Sequence, residues 1–439
     1  MAAADSPSVI DFKYHLLVGM ALLFALADLH AANVSLTASD AANSSSFNAS
    51  GHWSNVAAPA AANSYFTINY VLRSPTDTNN YTFGGSMLSV DPYPGGGNVG
   101  GRLLLKAAGN ATITITNLIL NGGLMDYADT ANNGIKTVAG NILLNNSTTS
   151  YLGALAGPGY SETLIITAPI SGGGNLQIGG NNVNAAADIG VVELNATNTY
   201  SGSTTVATGT LLVNGSISNA AVTVFTNATL GGLGSIGGAV AVQSGGTLAP
   251  GISATGALTN SIGTLTIGGA VSVSGTLVMK INHATTPNSD KLIAPGIVIN
   301  SGATLTVNNI GSTNLVAGDT FTLFSVPVSG SFSVTNLPAL PSSNLAWTNK
   351  LAVDGTIAVY STSVGPSGPE VLTNSYNAVT GVLSLSWPAN EGWRLQVQTN
   401  SLSTGLGTNW VYMTDGTVSS TNVNINTVNG SVFYRLTYP

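Results

Sequence analysis

The stretch Asn198-Thr-Tyr-Ser-Gly-Ser-Thr-Thr-Val-Ala-Thr-Gly-Thr-Leu-Leu-Val-Asn-Gly-Ser216 contains two short runs of strand-forming residues, 203–207 and 210–214. Glycines bound the two runs, and small hydroxylated residues alternate with aliphatic residues inside them. A unit this short cannot bury a core alone, because its strands have no partners within the unit. Such units must stack on one another, so the stretch predicts a solenoid in which it forms about one coil.

A Thr-Leu pair preceded by glycine or alanine recurs outside this stretch. It occurs in Gly245-Gly-Thr-Leu-Ala-Pro250, Gly263-Thr-Leu-Thr-Ile-Gly268, Gly275-Thr-Leu-Val-Met279 and Gly302-Ala-Thr-Leu-Thr-Val307. Aliphatic runs separated by Gly, Asn and Asp predict strands almost throughout the chain from residue 33 onward. The predicted fold is therefore all-β: a right-handed parallel β-helix (solenoid), followed by a small antiparallel β-sandwich.

The number of coils follows from the length of the repeat. At roughly 20–25 residues per coil, residues 33–360 would give about 13–16 coils. A set of β-sandwiches is the alternative for this region. The shortness of the strand runs, the frequent glycines and the scarcity of aromatic residues between positions 85 and 320 favour the β-helix.

Composition excludes several classes of function. Charged residues make up 6% of the 439 residues, against roughly 25% in a typical domain, which leaves few groups for acid/base chemistry. The net charge is −7 with only ten Lys and Arg residues, so no nucleic acid partner is expected. The chain has no cysteine, which excludes disulfides, thiol catalysis and cysteine-based zinc sites.

The N-terminus has the pattern of a secretory signal peptide. Lys13 and His15 precede an apolar run over residues 16–27, and Leu29-His-Ala-Ala32 resembles a small-residue cleavage site. The apolar run is shorter than the roughly 20 residues that span a bilayer. We therefore expect a secreted or cell-surface protein with no transmembrane anchor after cleavage; a buried N-terminal helix is the alternative.

Residues 198–216 closely resemble the autotransporter-associated β-strand repeat, whose pattern is approximately N-T-Y-[TS]-G-x-T-x-[VI]-x-x-G-T-L-x-V-N-G-S. Residues 318–361, beginning Gly-Asp-Thr-Phe-Thr-Leu-Phe324, resemble the closing part of the same repeat proteins. The resemblance implies a passenger-like β-helix of the kind found in secreted proteins of Verrucomicrobia and related bacteria. The aromatic residues Phe321, Phe324, Phe332 and Trp347 would then cover the last coil. Independently of the resemblance, His52 and Trp53 lie near the start of the mature chain and are interpreted as an N-terminal cap, with contact to a sugar as the alternative.

The chain divides into five predicted parts: a signal peptide (1–32), the parallel β-helix (33–317), its C-terminal cap (318–361), a linker (362–369) and a small β-sandwich module (370–439). Three of the five tryptophans lie in the module. Its predicted strands are 382–387, 393–399, 410–413, 423–426 and 431–436. The module is similar to C-terminal modules of secreted proteins of Verrucomicrobia.

Titratable residues are scattered along the β-helix. The nearest approach to a catalytic set is Asp126 and Asp129 with Lys136, and these residues are interpreted as a solvated turn. His283 has no second histidine near it, so no metal site is predicted, and no cofactor is expected. A polysaccharide lyase or hydrolase, which would need clustered carboxylates, is therefore the lowest-ranked hypothesis.

The sequence favours a structural or adhesin-like surface protein with no catalytic activity of its own. Its partners would be polysaccharide or components of a cell surface or matrix. The alternative function is carbohydrate binding, with Trp387, Trp393 or Trp410 as stacking platforms. The three rings would otherwise fill the core of the module, which is the favoured interpretation.

Overall fold

The computed structural model describes residues 32–92, 101–106, 109–128, 134–157, 160–180, 188–218, 220–251, 261–362, 370–389, 391–401, 403–426 and 430–438. The predicted signal peptide lies outside these ranges apart from its last residue, and the predicted linker lies outside them apart from its first. Both stay predictions. Contacts divide the chain into two compact units. The first unit comprises the described residues up to Leu315, together with Asp319–Ala339 and Thr348–Ala358. The second unit comprises Val316–Gly318, Leu340–Trp347 and the described residues from Val359 onward.

The regular structure of the described residues consists of 42 strands and no helix. The N-terminal strands are β1 (Ala32–Ser35), β2 (Asn63–Phe66), β3 (Val71–Arg73), β4 (Tyr81–Thr82), β5 (Met87–Val90), β6 (Arg102–Leu105), β7 (Ala111–Leu120), β8 (Leu124–Tyr127), β9 (Ile135–Leu144), β10 (Thr149–Ala154), β11 (Ala156–Gly157), β12 (Tyr160–Ser161), β13 (Thr163–Ile166), β14 (Ile170–Gly172) and β15 (Asn175–Ile178). The central strands are β16 (Val191–Leu194), β17 (Thr197–Asn198), β18 (Thr204–Val206), β19 (Gly209–Val213), β20 (Ser216–Ile217), β21 (Val222–Val224), β22 (Ala228–Gly232), β23 (Ser235–Ile236), β24 (Val240–Val242), β25 (Thr247–Pro250), β26 (Thr264–Ile267), β27 (Val271–Val273), β28 (Thr276–Ile281), β29 (Lys291–Ile293), β30 (Ile297–Ile299) and β31 (Thr304–Asn309). The C-terminal strands are β32 (Thr320–Thr322), β33 (Ser329–Gly330), β34 (Val334–Asn336), β35 (Leu345–Lys350), β36 (Thr356–Ser361), β37 (Thr373–Asn377), β38 (Val382–Ser386), β39 (Arg394–Asn400), β40 (Val411–Tyr412), β41 (Ser420–Asn424) and β42 (Ser431–Thr437).

Most strands between β1 and β34 pair in parallel and form a β-solenoid of about ten turns, which confirms the predicted class of fold. The exceptions are β11 and β12, which pair antiparallel with each other, and β32, which lies in a separate antiparallel sheet. The first sheet of the solenoid runs from β1 to β34, its second from β3 to β33, and its third, shorter sheet from β17 to β29. The expectation of 13–16 coils was wrong because many coils are longer than assumed. Thr210 lies opposite Thr229, 19 residues further on, whereas Thr247 lies opposite Thr276, 29 residues further on.

The recurring Thr-Leu pairs set the register of the first sheet. The leucines stack in the interior as one ladder, and the preceding threonines stack on the opposite, half-buried side. The leucine ladder consists of Leu211, Leu230, Leu248, Leu277 and Leu305, each fully buried, and the threonine ladder of Thr210, Thr229, Thr247, Thr276 and Thr304. The pair in Gly263–Gly268 differs, because Thr264 and Leu265 lie in the third sheet.

The coil over residues 198–216 is held by buried polar residues at its corners. The Asn198 side chain donates to the carbonyls of Ala196 and Ser216 and accepts from the Ile170 amide, so it bonds to neighbouring coils on both sides. The Tyr200 hydroxyl is buried and lies 2.6 Å from the Thr204 hydroxyl. Burial raises the pKa of Tyr200. The residues that identify the repeat therefore have structural roles.

Aromatic residues cover the first coil. Trp53 is buried, donates a hydrogen bond from Nε1 to the Ser46 carbonyl, and packs edge-on against Tyr65. Phe47 and Phe83 complete the cluster. The prediction of a cap at His52 and Trp53 is confirmed for the tryptophan, whereas His52 is only half-buried.

At the other end, β32 pairs antiparallel with β36, and β35 continues this sheet. Phe321 and Phe324 are fully buried, as expected of residues that close a coil. Phe332 stacks on Phe324 but is only half-buried, and Trp347 is also half-buried. The prediction that four aromatic residues cover the last coil is thus confirmed only for the two buried phenylalanines.

The C-terminal module contains two small antiparallel sheets, β37-β38-β41 and β40-β39-β42. Its buried core consists of Leu385, Trp387, Trp393 and Leu395. The prediction of antiparallel strands is confirmed, but β37 was missed. All five residues of β37 are exposed, so its sequence lacks the apolar alternation that identifies a strand.

Candidate binding site on the C-terminal module

Asp126 and Lys136, two of the three residues that come nearest to a catalytic set in the sequence, are buried in the solenoid. Asp126 lies within β8, is 3% exposed, and accepts hydrogen bonds from Nε and Nη2 of Arg102 on the preceding coil. The interpretation of Asp126 as a solvated turn residue was therefore wrong. Lys136 is buried with its Nζ 5.4 Å from the centroid of the Tyr127 ring, and Asp129 lies outside the described residues.

The Arg102–Asp126 pair is stabilised by the attraction between its opposite charges. Burial of the guanidinium would lower the pKa of Arg102, but the Asp126 charge and its hydrogen bonds outweigh burial and raise this pKa. The guanidinium of Arg102 is thereby held in its charged form.

A second ion pair and a histidine–aspartate hydrogen bond are also built into the solenoid. Lys280 Nζ lies 2.7 Å from Asp290 Oδ2, and the Asp290 carboxylate also accepts from the amides of Gly263 and Lys280. His283 Nδ1 lies 2.6 Å from Asp319 Oδ1. No cluster of three or more His, Asp or Glu residues within the described ranges is arranged to hold a metal ion. A search of the same ranges for a helix long and apolar enough to cross a bilayer finds none.

The three candidate tryptophans of the module have different environments. Trp387 and Trp393 are 6% and 8% exposed and belong to the core, so their ring faces are not accessible to a ligand. Trp410 is half-buried, and the guanidinium carbon of Arg435 lies 4.2 Å from the centroid of its ring. The core interpretation thus holds for two of the rings, and only Trp410 is placed to contribute to binding.

Strand β39 separates two kinds of side chain. Leu395 faces the core between the sheets, together with Leu436 opposite it on β42. Alternate residues point to the other side of the sheet, so Gln396 shares its outer face with Arg435 on β42 and Tyr412 on β40. We call this side the polar–aromatic face, and define it as Arg394, Gln396, Gln398, Trp410, Tyr412 and Arg435.

The polar–aromatic face is ordered by hydrogen bonds. Arg435 Nε donates to Gln396 Oε1 at 2.8 Å. Gln398 accepts from the Gly407 amide at 2.9 Å and donates to the Asn409 side chain, which fixes the loop that leads to Trp410. Gln396 and Gln398 are 6% and 2% exposed, so their orientations are set by these bonds.

The two arginines of this face differ in their electrostatic surroundings. Arg394 lies 5.7 Å from the centroid of the Tyr412 ring and close to the exposed Asp415. Hydrogen bonds from Thr417 lower the pKa of Asp415, and the Arg394 charge adds a smaller effect in the same direction. Arg435 is exposed, and it is a member of none of the ion pairs described above. Arg435 is therefore available to an anionic ligand.

A cleft of about 940 Å³ opens in the same module. Apolar residues of both sheets line it, including Leu383, Val397 and Val423, and Trp410 and Arg435 are also among the lining residues. Val411, which pairs with Val397, is 63% exposed, so the sandwich is incompletely closed along β40. Val397 alternates with Gln396 and Gln398 along β39, so this part of the cleft lies on the core side of the sheet, whereas the polar–aromatic face lies on the other side.

The sequence analysis missed Arg435 and Gln396. Both lie in strands that were predicted, at 393–399 and 431–436. The signal was present in Trp393-Arg-Leu-Gln-Val-Gln398, where Arg and Gln alternate with apolar residues and must share the face opposite the core. The tryptophans do not by themselves reveal the polar side of β39.

No family model matches the sequence, and neither does any curated protein.

Proposed function

We propose that the chain is a secreted or cell-surface structural protein, adhesin-like and without catalytic activity of its own. The observation that carries this proposal is the pair of uninterrupted ladders, leucine inside and threonine outside, that runs through successive coils of the first sheet. Each coil pairs with the next through its main chain, so the stack forms a rigid support with an uncharged surface along this ladder.

The distribution of charge also favours a support. Asp126 and Asp290 are buried in ion pairs with Arg102 and Lys280, which uses these carboxylates for stability. The resemblance of residues 198–216 to the autotransporter-associated repeat, together with the predicted signal peptide, favours export from a bacterial cell. In this proposal the solenoid positions the C-terminal module outside the cell.

Two measurements test this function. Antibody labelling of intact producing cells should detect the protein at the surface or in the medium; retention inside the cells would contradict the proposal. Incubation of the full chain with pectin or alginate should give neither new reducing ends nor unsaturated products. A reproducible product that is formed by the purified chain would instead assign it to the polysaccharide-active enzymes.

Carbohydrate binding by the C-terminal module is a second candidate function. The observation that favours it is the polar–aromatic face, where amides, arginines and aromatic rings are held on one side of a sheet. Amide and guanidinium groups donate hydrogen bonds to sugar oxygens. Retention of the full chain on polysaccharide gels, compared with a gel that contains no polymer, tests this function directly.

A further inference from the structure

We infer that the polar–aromatic face recognises the carboxylate groups of an acidic polysaccharide, with the Arg435 guanidinium as the receptor. This inference rests on the carbohydrate-binding function proposed as the second candidate, and it specifies the chemical class of the polymer. It is independent of the scaffold role proposed for the solenoid.

The position of Arg435 is fixed before a ligand arrives. Its guanidinium lies over the Trp410 ring, and its Nε–H is donated to Gln396. The two terminal amino groups make no hydrogen bond to any described residue, so their donors remain available. A planar guanidinium presents paired donors that match the two oxygens of a carboxylate, and prior ordering reduces the entropy lost on binding.

The same geometry disfavours simple stacking of a neutral sugar. A sugar that stacks on tryptophan needs a free ring face, but Arg435 covers a face of Trp410 at 4.2 Å. A neutral ring would have to displace the guanidinium and forfeit the cation–π contact. A carboxylate can bind the outer edge of the guanidinium and leave that contact in place.

Charge on the face favours an acidic polymer. The chain carries a net charge of −7, which repels polyanions in general, so binding requires a local concentration of cations. Arg435 provides it without a carboxylate partner among the described residues, and Arg394, although it lies near Asp415, adds a second guanidinium on the same face of the sheet. Two arginines on one face suit a polymer that presents carboxylates repeatedly.

A polysaccharide fits this face better than an acidic peptide. Peptides that bind sheets commonly add a strand along an edge through main-chain hydrogen bonds. Here the available groups are side chains on the face of the sheet, including the exposed Tyr412 beside Arg394. Hydroxyl and guanidinium groups in such an arrangement match the hydroxyls and carboxylates of a uronic acid chain.

The test compares two polymers that differ only in their carboxyl groups, polygalacturonate and its fully methyl-esterified form. Affinity electrophoresis of the full chain at low ionic strength measures binding to each. The wild-type protein should bind the free acid at least about tenfold more tightly than the ester. Arg435→Gln should abolish this preference, and Arg435→Lys should retain only part of it because lysine lacks the planar pair of donors. Lys350→Gln, which removes an exposed positive charge from β35, is the control and should leave the preference unchanged.

Each contrary result has a distinct meaning. Equal binding of acid and ester by the wild type would overturn the inference but retain carbohydrate binding, whereas binding of neither polymer, nor of any other polysaccharide tried, would remove both. Poly-L-glutamate that competes equally well, with the same dependence on Arg435, would reassign the site to acidic polypeptides. If Arg435→Gln unfolds the module, the Arg435→Lys variant and the wild-type preference still decide the question.

Discussion

The solenoid and the C-terminal module use polar residues in opposite ways. In the solenoid, Asn198, Asp126 and Asp290 are buried, and each has hydrogen-bond partners on neighbouring strands or turns. In the module, Arg435 is exposed and uses one hydrogen bond and an aromatic ring to hold a position that leaves its other donors free. Polar groups whose donors and acceptors are all hydrogen-bonded stabilise a structure. Polar groups that are held in place but keep unpaired donors are available for recognition.

The two units also differ in the size of their cores, and removal of one tryptophan should expose this difference most strongly. Trp393→Ala should destabilise the module by roughly 3–5 kcal/mol, which approaches the whole stability expected of so small a domain. Urea unfolding followed by tryptophan fluorescence should lose the transition of the module and retain that of the solenoid. Trp410→Ala, at the half-buried ring, is the control and should retain both transitions; its complete unfolding would show that Trp410 belongs to the core.

Removal of one partner of a buried ion pair in the solenoid should leave the other partner as an unpaired buried charge. Asp126→Ala leaves the Arg102 guanidinium without its carboxylate and should cost about 3 kcal/mol. The double variant Arg102→Met with Asp126→Leu removes both charges and should recover most of the loss. Equilibrium unfolding measures the two effects, and equal destabilisation by both variants would contradict a dominant role for the unpaired charge.

At alkaline pH, the stability of the protein should depend more on the buried Tyr200 of the repeat than on the tyrosines of the module. The pKa of Tyr200 is raised above 10.0 by burial, so the folded state keeps this proton while the unfolded state loses it. Its contribution to stability is complete below pH 10 and is lost as the pH rises further. Tyr200→Phe should cost about 1 kcal/mol at pH 8, because the bond to Thr204 is lost, and should flatten the alkaline decline.

Burial also raises the pKa of Tyr434 in the module, but this side chain is only partly buried. Tyr434→Phe should therefore change the alkaline decline less than Tyr200→Phe does. Unfolding at a series of pH values between 8 and 12 measures both, and an equal effect would contradict the difference in burial.

The smallest effect is expected on the threonine ladder. Thr229 is half-buried on the side opposite Leu230, so Thr229→Val should change stability by less than about 0.5 kcal/mol. Leu230→Ala, one residue further along, should cost about 2–5 kcal/mol and provides the matched comparison. Thermal unfolding distinguishes them, and similar losses would show that the outer ladder contributes to stability as much as the core.

The fold could be predicted from local sequence because the coils repeat the same alternation of aliphatic and small hydroxylated residues. In residues 198–216 the predicted runs 203–207 and 210–214 correspond to β18 and β19, each within a residue or two of its bounds. The number of coils was not predictable, because residues inserted between strands do not change the pattern within them. The insertion between β28 and β29, for example, contributes Asp290 to a buried ion pair but no further coil.

The candidate site was less accessible to prediction. The role of Asp126 depends on Arg102, which lies 24 residues earlier in sequence but on the adjacent coil. The Arg435–Trp410 contact likewise depends on how β42 and β40 flank β39. Sequence alternation identifies which face of a strand is polar, but it does not specify which residues on neighbouring strands meet there.

The regular placement of Thr-Leu pairs has a consequence for how the chain can change in length during evolution. Deletion of residues 210–228 would bring Thr229 and Leu230 to the positions of Thr210 and Leu211, opposite Val191 and Val192. A duplication of the same segment would be accommodated equally well. Loss of a single residue within a strand would instead exchange its two faces and place threonine among the leucines. Selection on such a chain therefore acts on whole coils, and its length can vary in steps that leave the core intact.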